Sequence, residues 1–103
     1  FLDRALCIRK FTQAIRQLVH VLDQDMGRPL GHLTHCLPDT DLVGDCRQVL
    51  ETGDPIRKVV RDDRRNLHLM DVLPYRTRDN QMKGIVISFV DLTEIPVEEP
   101  GTP

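Results

Sequence analysis

Two histidines and a cysteine in one short stretch form the cluster best suited to metal chemistry. His32, His35 and Cys36 fall within five consecutive residues, and both imidazole and thiolate are ligands that zinc accepts. The sequence supplies no further ligand at a recognisable spacing, so the motif is incomplete. We therefore predict no metal site and keep a metal-binding domain only as a minor alternative.

A fourth histidine suggests a different role, in the recognition of a small molecule. His68 alternates with Met70 and Val72, which puts the three side chains on the same face of a predicted strand. If that face lines a cleft, His68 can form a hydrogen bond to a bound molecule. These three residues are our candidate ligand-binding residues, although a histidine satisfied within the core is the commoner arrangement in a small domain.

The patterns typical of catalysis are missing from the sequence. The glycines are too scattered for a phosphate-binding loop, and the single serine, Ser88, has no Gly-x-Ser-x-Gly motif around it. Adjacent carboxylates such as Asp62 and Asp63 occur in a polar connection, which is typical of a solvated turn. We predict that the chain is not an enzyme.

Composition limits the class of protein further. With 103 residues, 40% hydrophobic and 29% charged, the chain has the size and polarity of one globular domain. A formal charge of −2 argues against nucleic-acid binding, and the apolar runs are too short for membrane insertion. Three cysteines without paired spacing favour a reducing, cytoplasmic location.

The first half of the chain is predicted to form short elements separated by turns. A turn at Asp3–Ala5 should join two strands, the second over Leu6–Phe11, and Thr12 should cap a helix with one apolar face. Gly and Pro residues predict turns over Asp23–Pro38. A second helix should begin at Asp39 or Thr40 and end at Gly53.

In the second half, apolar residues recur at every second position. This spacing predicts strands over Ile56–Arg61, Leu67–Tyr75 and Gly84–Asp91, joined by short polar connections. Consecutive strands with short connections pair antiparallel. The fold class is therefore α+β, with one antiparallel sheet and the helices on one side.

Several local sequences resemble those of the PAS domain, a sensory module of signalling proteins. Near the start these are Leu2-Asp3-Arg4, Ile8-Arg9-Lys10-Phe11-Thr12 and Met26-Gly27-Arg28-Pro29-Leu30; near the end they are Pro74-Tyr75-Arg76-Thr77 and Gly84–Glu94. In the last stretch Asp91-Leu92-Thr93 is a near match to the Asp-Ile-Thr ending of PAS domains. The combination is similar to PAS domains of fused chemotaxis methyltransferase–methylesterase proteins and related sensor histidine kinases.

The resemblance implies a PAS-like domain over residues 1–94. The remaining residues, 95–103, are predicted to form a Pro-rich tail, which departs from the long signalling helix that usually follows the domain in the family. It implies a five-stranded antiparallel sheet of order 2-1-5-4-3, with helices on one face and a ligand cleft between them. Asp91 and Thr93 would lie at the exit of the last strand, where the module couples to the output domain of its parent protein. No Asn-Cys pair of the flavin type and no histidine on an apolar helical stripe for haem is present, so no cofactor is predicted and an unknown small metabolite is possible.

The resemblance also makes the His68 face the inner one, which leaves an apolar outer face. Leu67, Leu69, Leu73 and Tyr75 lie on it, interrupted by Asp71. The last strand should add either Ile85, Ile87 and Phe89 or the alternating residues Val86 and Val90. A contiguous apolar patch normally marks an interface, so we predict a homodimer packed sheet to sheet.

The first hypothesis for the function is a non-catalytic sensory module that binds a small ligand. The alternative is a dimerisation domain with no ligand.

Overall fold

The sheet is built from the second half of the chain, with a short contribution from the first residues. The structure, a computed structural model, describes residues 1–92. Its strands are β1 (Leu2–Asp3), β2 (Ile56–Arg61), β3 (Leu67–Arg76) and β4 (Met82–Asp91), and its α-helix is α1 (Leu42–Thr52). The strand order is β1-β4-β3-β2, and each neighbouring pair is antiparallel.

The β2–β3–β4 meander follows the predicted strands to within two residues because local turns fix it. Asp62 accepts hydrogen bonds from the amides of Arg64 (2.8 Å) and Asn66 (2.9 Å), which closes the β2–β3 turn. In the β3–β4 turn the Thr77 amide donates to the Gln81 carbonyl at 2.9 Å. Polar connections with such side chains favour tight antiparallel hairpins.

The ends of α1 are set by two local signals. The Asp41 carboxylate accepts a hydrogen bond from the Gly44 amide at 3.0 Å, so Asp41 is the capping residue, where Asp39 or Thr40 was predicted. Gly53 ends the helix, as predicted, with a φ of 74° that other residues rarely adopt. Between them Leu42, Cys46 and Val49 are buried against the sheet face that carries Met70, Val72 and Ile85.

The prediction of five strands is wrong, because Leu6–Phe11 does not form a regular strand. Leu6 has a φ of 60°, which interrupts extended structure, and Leu2 pairs with Ile8 only as an isolated bridge. The Ile8 amide instead donates to the Arg28 carbonyl at 3.0 Å, and the Ile8 carbonyl accepts from Gly27 at 2.7 Å. Without that second strand, the expected order 2-1-5-4-3 becomes 1-5-4-3. The observed order β1-β4-β3-β2 is the same arrangement with the strands renumbered.

The predicted first helix is also wrong. Only Gln13–Gln17 is helical, as a 3₁₀ turn, and the Thr12 side chain makes no capping hydrogen bond. The residues that follow pair with a distant segment: the His20 amide donates to the Thr34 carbonyl and the Cys36 amide to the Leu18 carbonyl, both at 2.9 Å. These contacts take the backbone out of the helical path.

Candidate functional site

A cleft of about 640 Å³ lies between β4 and the irregular segment that contains the first 3₁₀ turn. Phe11, Ile15 and Leu18 contribute from that segment, and Ile87 and Phe89 contribute from β4. The volume falls within the range that small-molecule sites occupy in proteins, and most of the lining residues are apolar.

Strand register decides which β4 residues face the cleft. Asp91, Phe89 and Ile87 lie directly opposite His68, Met70 and Val72 of β3. Residues opposite each other in an antiparallel pair share a face of the sheet. The face that carries the buried His68, Met70 and Val72 is therefore also the face of Phe89 and Asp91.

The polar end of the cleft is formed by His68 and Asp91, with Asp62 behind them. His68 Nε2 lies 2.9 Å from Asp62 Oδ2, and the two side chains are only 8% and 9% exposed. Both His68 and Asp91 line the cleft. Because Asp62 occupies Nε2, only the rest of the ring is left for contact with a bound molecule.

The Asp62 carboxylate is held in its charged form. The hydrogen bond from His68 is the largest cause that lowers its pKa, and the amides of Asn66 and Arg64 lower it further against the opposing effect of burial. A carboxylate accepting an N–H from His68 fixes the ring's orientation and places a proton on Nε2. Asp62 thus joins the β2–β3 turn to the end of the cleft.

The structure separates the three predicted ligand-binding residues. His68 lines the cleft, whereas Met70 and Val72 are fully buried and are not among its lining residues. Asp91 lies at the end of β4, directly across from His68. Thr93 and the Pro-rich tail lie outside the described residues.

Sequence reasoning missed Asp62. The sequence predicts a solvated turn carboxylate, but Asp62 is buried and its carboxylate is hydrogen-bonded to His68. The connection begins with Asp62, and its flanking residues Arg61 and Leu67 pair across the hairpin, which brings Asp62 close to the start of β3. A carboxylate directly after one strand and a histidine at the second position of the next were therefore the available signal.

The candidate metal cluster is not assembled in the described part of the chain. Within residues 1–92 no group of three or more His, Cys, Asp or Glu side chains is placed to hold a metal ion. His35 Nδ1 accepts the Leu37 amide at 3.1 Å. Burial, followed by the charges of Asp63 and Asp62, raises the pKa of Cys36, which disfavours the thiolate that zinc requires.

The outer face of the sheet is apolar in part. Leu67, Leu73 and Tyr75 are 38%, 41% and 48% exposed, and Leu69 lies in register between Val59 and Val90. Register also puts Val86 on this face and leaves Ile85, Ile87 and Phe89 on the inner one.

A polar row crosses this outer face. Arg57 Nε and Asp71 Oδ1 are 2.7 Å apart, and Ser88 lies on the other side of Asp71 in register. The apolar surface is therefore divided into two areas, one around Leu69 and the other around Leu73.

Comparison with known proteins agrees with this architecture. The family model described as the PAS domain matches residues 1–93, and the chain belongs to the PAS domain family. A PAS domain is a sensory or regulatory module.

The chain is 34% identical over 94 residues to an uncharacterized 104.1 kDa protein from the hypE 3′ region of Rhodobacter capsulatus. That match covers 91% of the chain but only 10% of the relative's length. No solved structure matches the chain. Among the described residues, no helix has the length and apolar character needed to cross a membrane.

Proposed function

We propose that this PAS domain is a non-catalytic sensory module that binds a small molecule in the cleft beside β4. The observation that carries the proposal is the cleft itself, whose lining is mostly apolar and includes His68 and Asp91 at the end of β4 among its polar residues. Burying apolar surface of a ligand supplies about 25 cal/mol per Å², and a few polar groups fix its orientation.

The same polar end suggests how ligand binding in the cleft is signalled to an output domain. Asp91 is the last residue of β4 and lies opposite His68, and the next amide, that of Leu92, donates to the Leu67 carbonyl at 3.0 Å. A ligand that displaces His68 therefore acts directly on the end of β4, because Asp91 is the residue paired with His68. The parent protein would be a chemotaxis-type methyltransferase or a sensor histidine kinase. Its location would be cytoplasmic, a proposal supported by three cysteines that are all free thiols.

Native mass spectrometry of protein purified from cells tests ligand binding. We expect additional small-molecule mass on the native chain and its loss from Ile15→Trp, since Ile15 lines the cleft and a larger side chain fills it. Leu22→Trp is the matched control, because Leu22 is 52% exposed and is not a lining residue. A bare mass for the native chain, or equal retention in both variants, contradicts the proposal.

Homodimerisation through the outer face of the sheet is the second candidate function. It is supported by the exposed apolar side chains around Leu69 and Leu73, since such patches are uncommon on monomers. Pairing two copies would cover both areas at once. Dimerisation and ligand binding use opposite faces of the sheet, so the two functions are compatible.

A further inference from the structure

The edge of β4 that borders the cleft has a partner strand over only a short part of its length. β4 has ten residues, and β1 pairs only with Gly84 and Ile85. The stretch Val86–Phe89 pairs with β3 on one side and lines the cleft. Its lining residues include Ser88 of the outer face as well as Phe89 of the inner face. A cleft that touches both faces of a sheet runs along the edge of that sheet.

The hydrogen bonds to β3 show which backbone groups of β4 face the cleft. The Leu92 amide donates to the Leu67 carbonyl of β3 at 3.0 Å. Alternate residues of a strand direct their N–H and C=O groups to the same side. Even-numbered residues of β4 therefore face β3, whereas Ile87 and Phe89 direct their backbone groups into the cleft. Among residues 1–92 these two amides and two carbonyls have no hydrogen-bond partner in another segment.

The two edges of the sheet differ in charge. At the far edge, β2 carries Arg57, Lys58 and Arg61 among its six residues. Charged side chains on an edge strand discourage pairing with a further strand. The stretch Val86–Val90 carries no charged residue, so the edge of β4 lacks this protection and is suited to pairing.

The position of β1 indicates the direction that an added strand would take. Phe1 and Leu2 line the cleft, and β1 is antiparallel to β4. A strand in line with β1 that keeps the same register lies opposite Val86–Val90. Five residues of an antiparallel strand span about 17 Å.

We propose that the cleft binds an extended peptide segment, which pairs antiparallel with β4 and hydrogen-bonds to the backbone of Ile87 and Phe89. This inference rests on the proposed function and names the chemical class of its ligand. A peptide added to a sheet edge gains affinity from main-chain hydrogen bonds and specificity from alternate side chains. Peptide residues opposite these two positions place their side chains on the inner face, where apolar side chains fit beside Phe11 and Ile15 of the cleft lining.

The test uses a capped pentapeptide, acetyl-Thr-Val-Thr-Val-Thr-amide, whose two valines lie opposite Phe89 and Ile87 in this register. Isothermal titration calorimetry at neutral pH measures its binding to the native chain. Both valine amides donate to β4, so N-methylation of the two valines should weaken binding about tenfold or more, the size of one to two hydrogen bonds. N-methylation of the third and fifth residues is the matched control, because it adds the same two methyl groups to amides that point away from β4.

Amide hydrogen exchange measured by NMR locates the bound peptide. Exchange at Ile87 and Phe89 should slow when the unmodified peptide is added. Exchange at Val59, which lies on the far edge strand β2, should not change. Ile15→Trp should lose peptide binding, since Ile15 lines the cleft, and Leu22→Trp should retain it.

Equal Kd values for the two N-methylated peptides, or unchanged exchange at Ile87 and Phe89 at peptide saturation, overturn pairing with β4. Failure of the unmodified peptide to bind overturns it as well. In each of these cases the proposed function is judged separately, because the native mass spectrometry of Ile15→Trp detects any small molecule in the cleft and uses no added peptide.

Discussion

Replacing Leu73 by Ala should weaken the proposed dimer by an amount that follows from its exposure. Fully burying a leucine side chain is worth about 1.5–3 kcal/mol, and 41% of Leu73 is still exposed in one copy. Burying the exposed part of Leu73 in the interface stabilises the dimer by about 0.6–1.2 kcal/mol per protomer. A two-fold interface contains the residue twice, so Leu73→Ala should cost about 1–2.5 kcal/mol, or roughly 5- to 60-fold in Kd.

Sedimentation equilibrium over a range of protein concentrations measures this Kd directly. Leu22→Ala is the matched control, because Leu22 is also half-exposed but lies outside the sheet. Leu69→Glu should abolish dimerisation, since it introduces a carboxylate beside Asp71 on the same face. Equal Kd values for native, Leu73→Ala and Leu69→Glu chains, or a native chain that stays monomeric at high micromolar concentration, would refute the reasoning.

Three further predictions concern coupling, pH and thiol reactivity. Asp91→Ala should uncouple output in the full-length protein while the isolated domain loses only about 1 kcal/mol in urea unfolding; native output from the mutant would contradict it. The lowered pKa of Asp62 contributes stability that is fully present above its ordinary value of 3.8 and is lost as pH falls through the folded value. Asp62→Asn should therefore flatten the acid-unfolding profile, and an unchanged slope would argue against the His68 contact. Burial, then the charge of Asp45, raises the pKa of Cys46 to about 12, so thiol reagents should label Cys7 in the native protein and Cys46 only after unfolding, as peptide mass mapping would show. Rapid native labelling of Cys46 would contradict its burial.

The sequence determined the elements whose signals are local. The alternating apolar residues of β2, β3 and β4 and the side chains of their connecting turns specify hairpins without help from the rest of the chain. Gly53 likewise predicted the end of α1, because the left-handed conformation that ends the helix is a property of that one position. The PAS resemblance of the first and last segments supplied the family, which the family match confirms.

Tertiary structure decided the elements in which two segments compete for the same backbone groups. Ile8 hydrogen-bonds with Gly27 and Arg28 instead of extending a strand, and His20 bonds with Thr34 instead of continuing a helix. Each of these hydrogen bonds joins residues that are 14 or more positions apart in the sequence. The side chains of His20 and Thr34 are hydrogen-bonded as well. Local propensity carries no information on such pairings.

The polar end of the cleft depended on both the sequence and the tertiary structure. Alternation grouped His68 with Met70 and Val72, and the PAS resemblance made their face the inner one. Only the β3–β4 register put Asp91 opposite His68, and only the closed β2–β3 turn brought the Asp62 carboxylate within 2.9 Å of its ring. A one-residue shift in that register would have turned Asp91 to the outer face. The residue types were readable from the chain, whereas their meeting point was fixed by hydrogen bonding between strands.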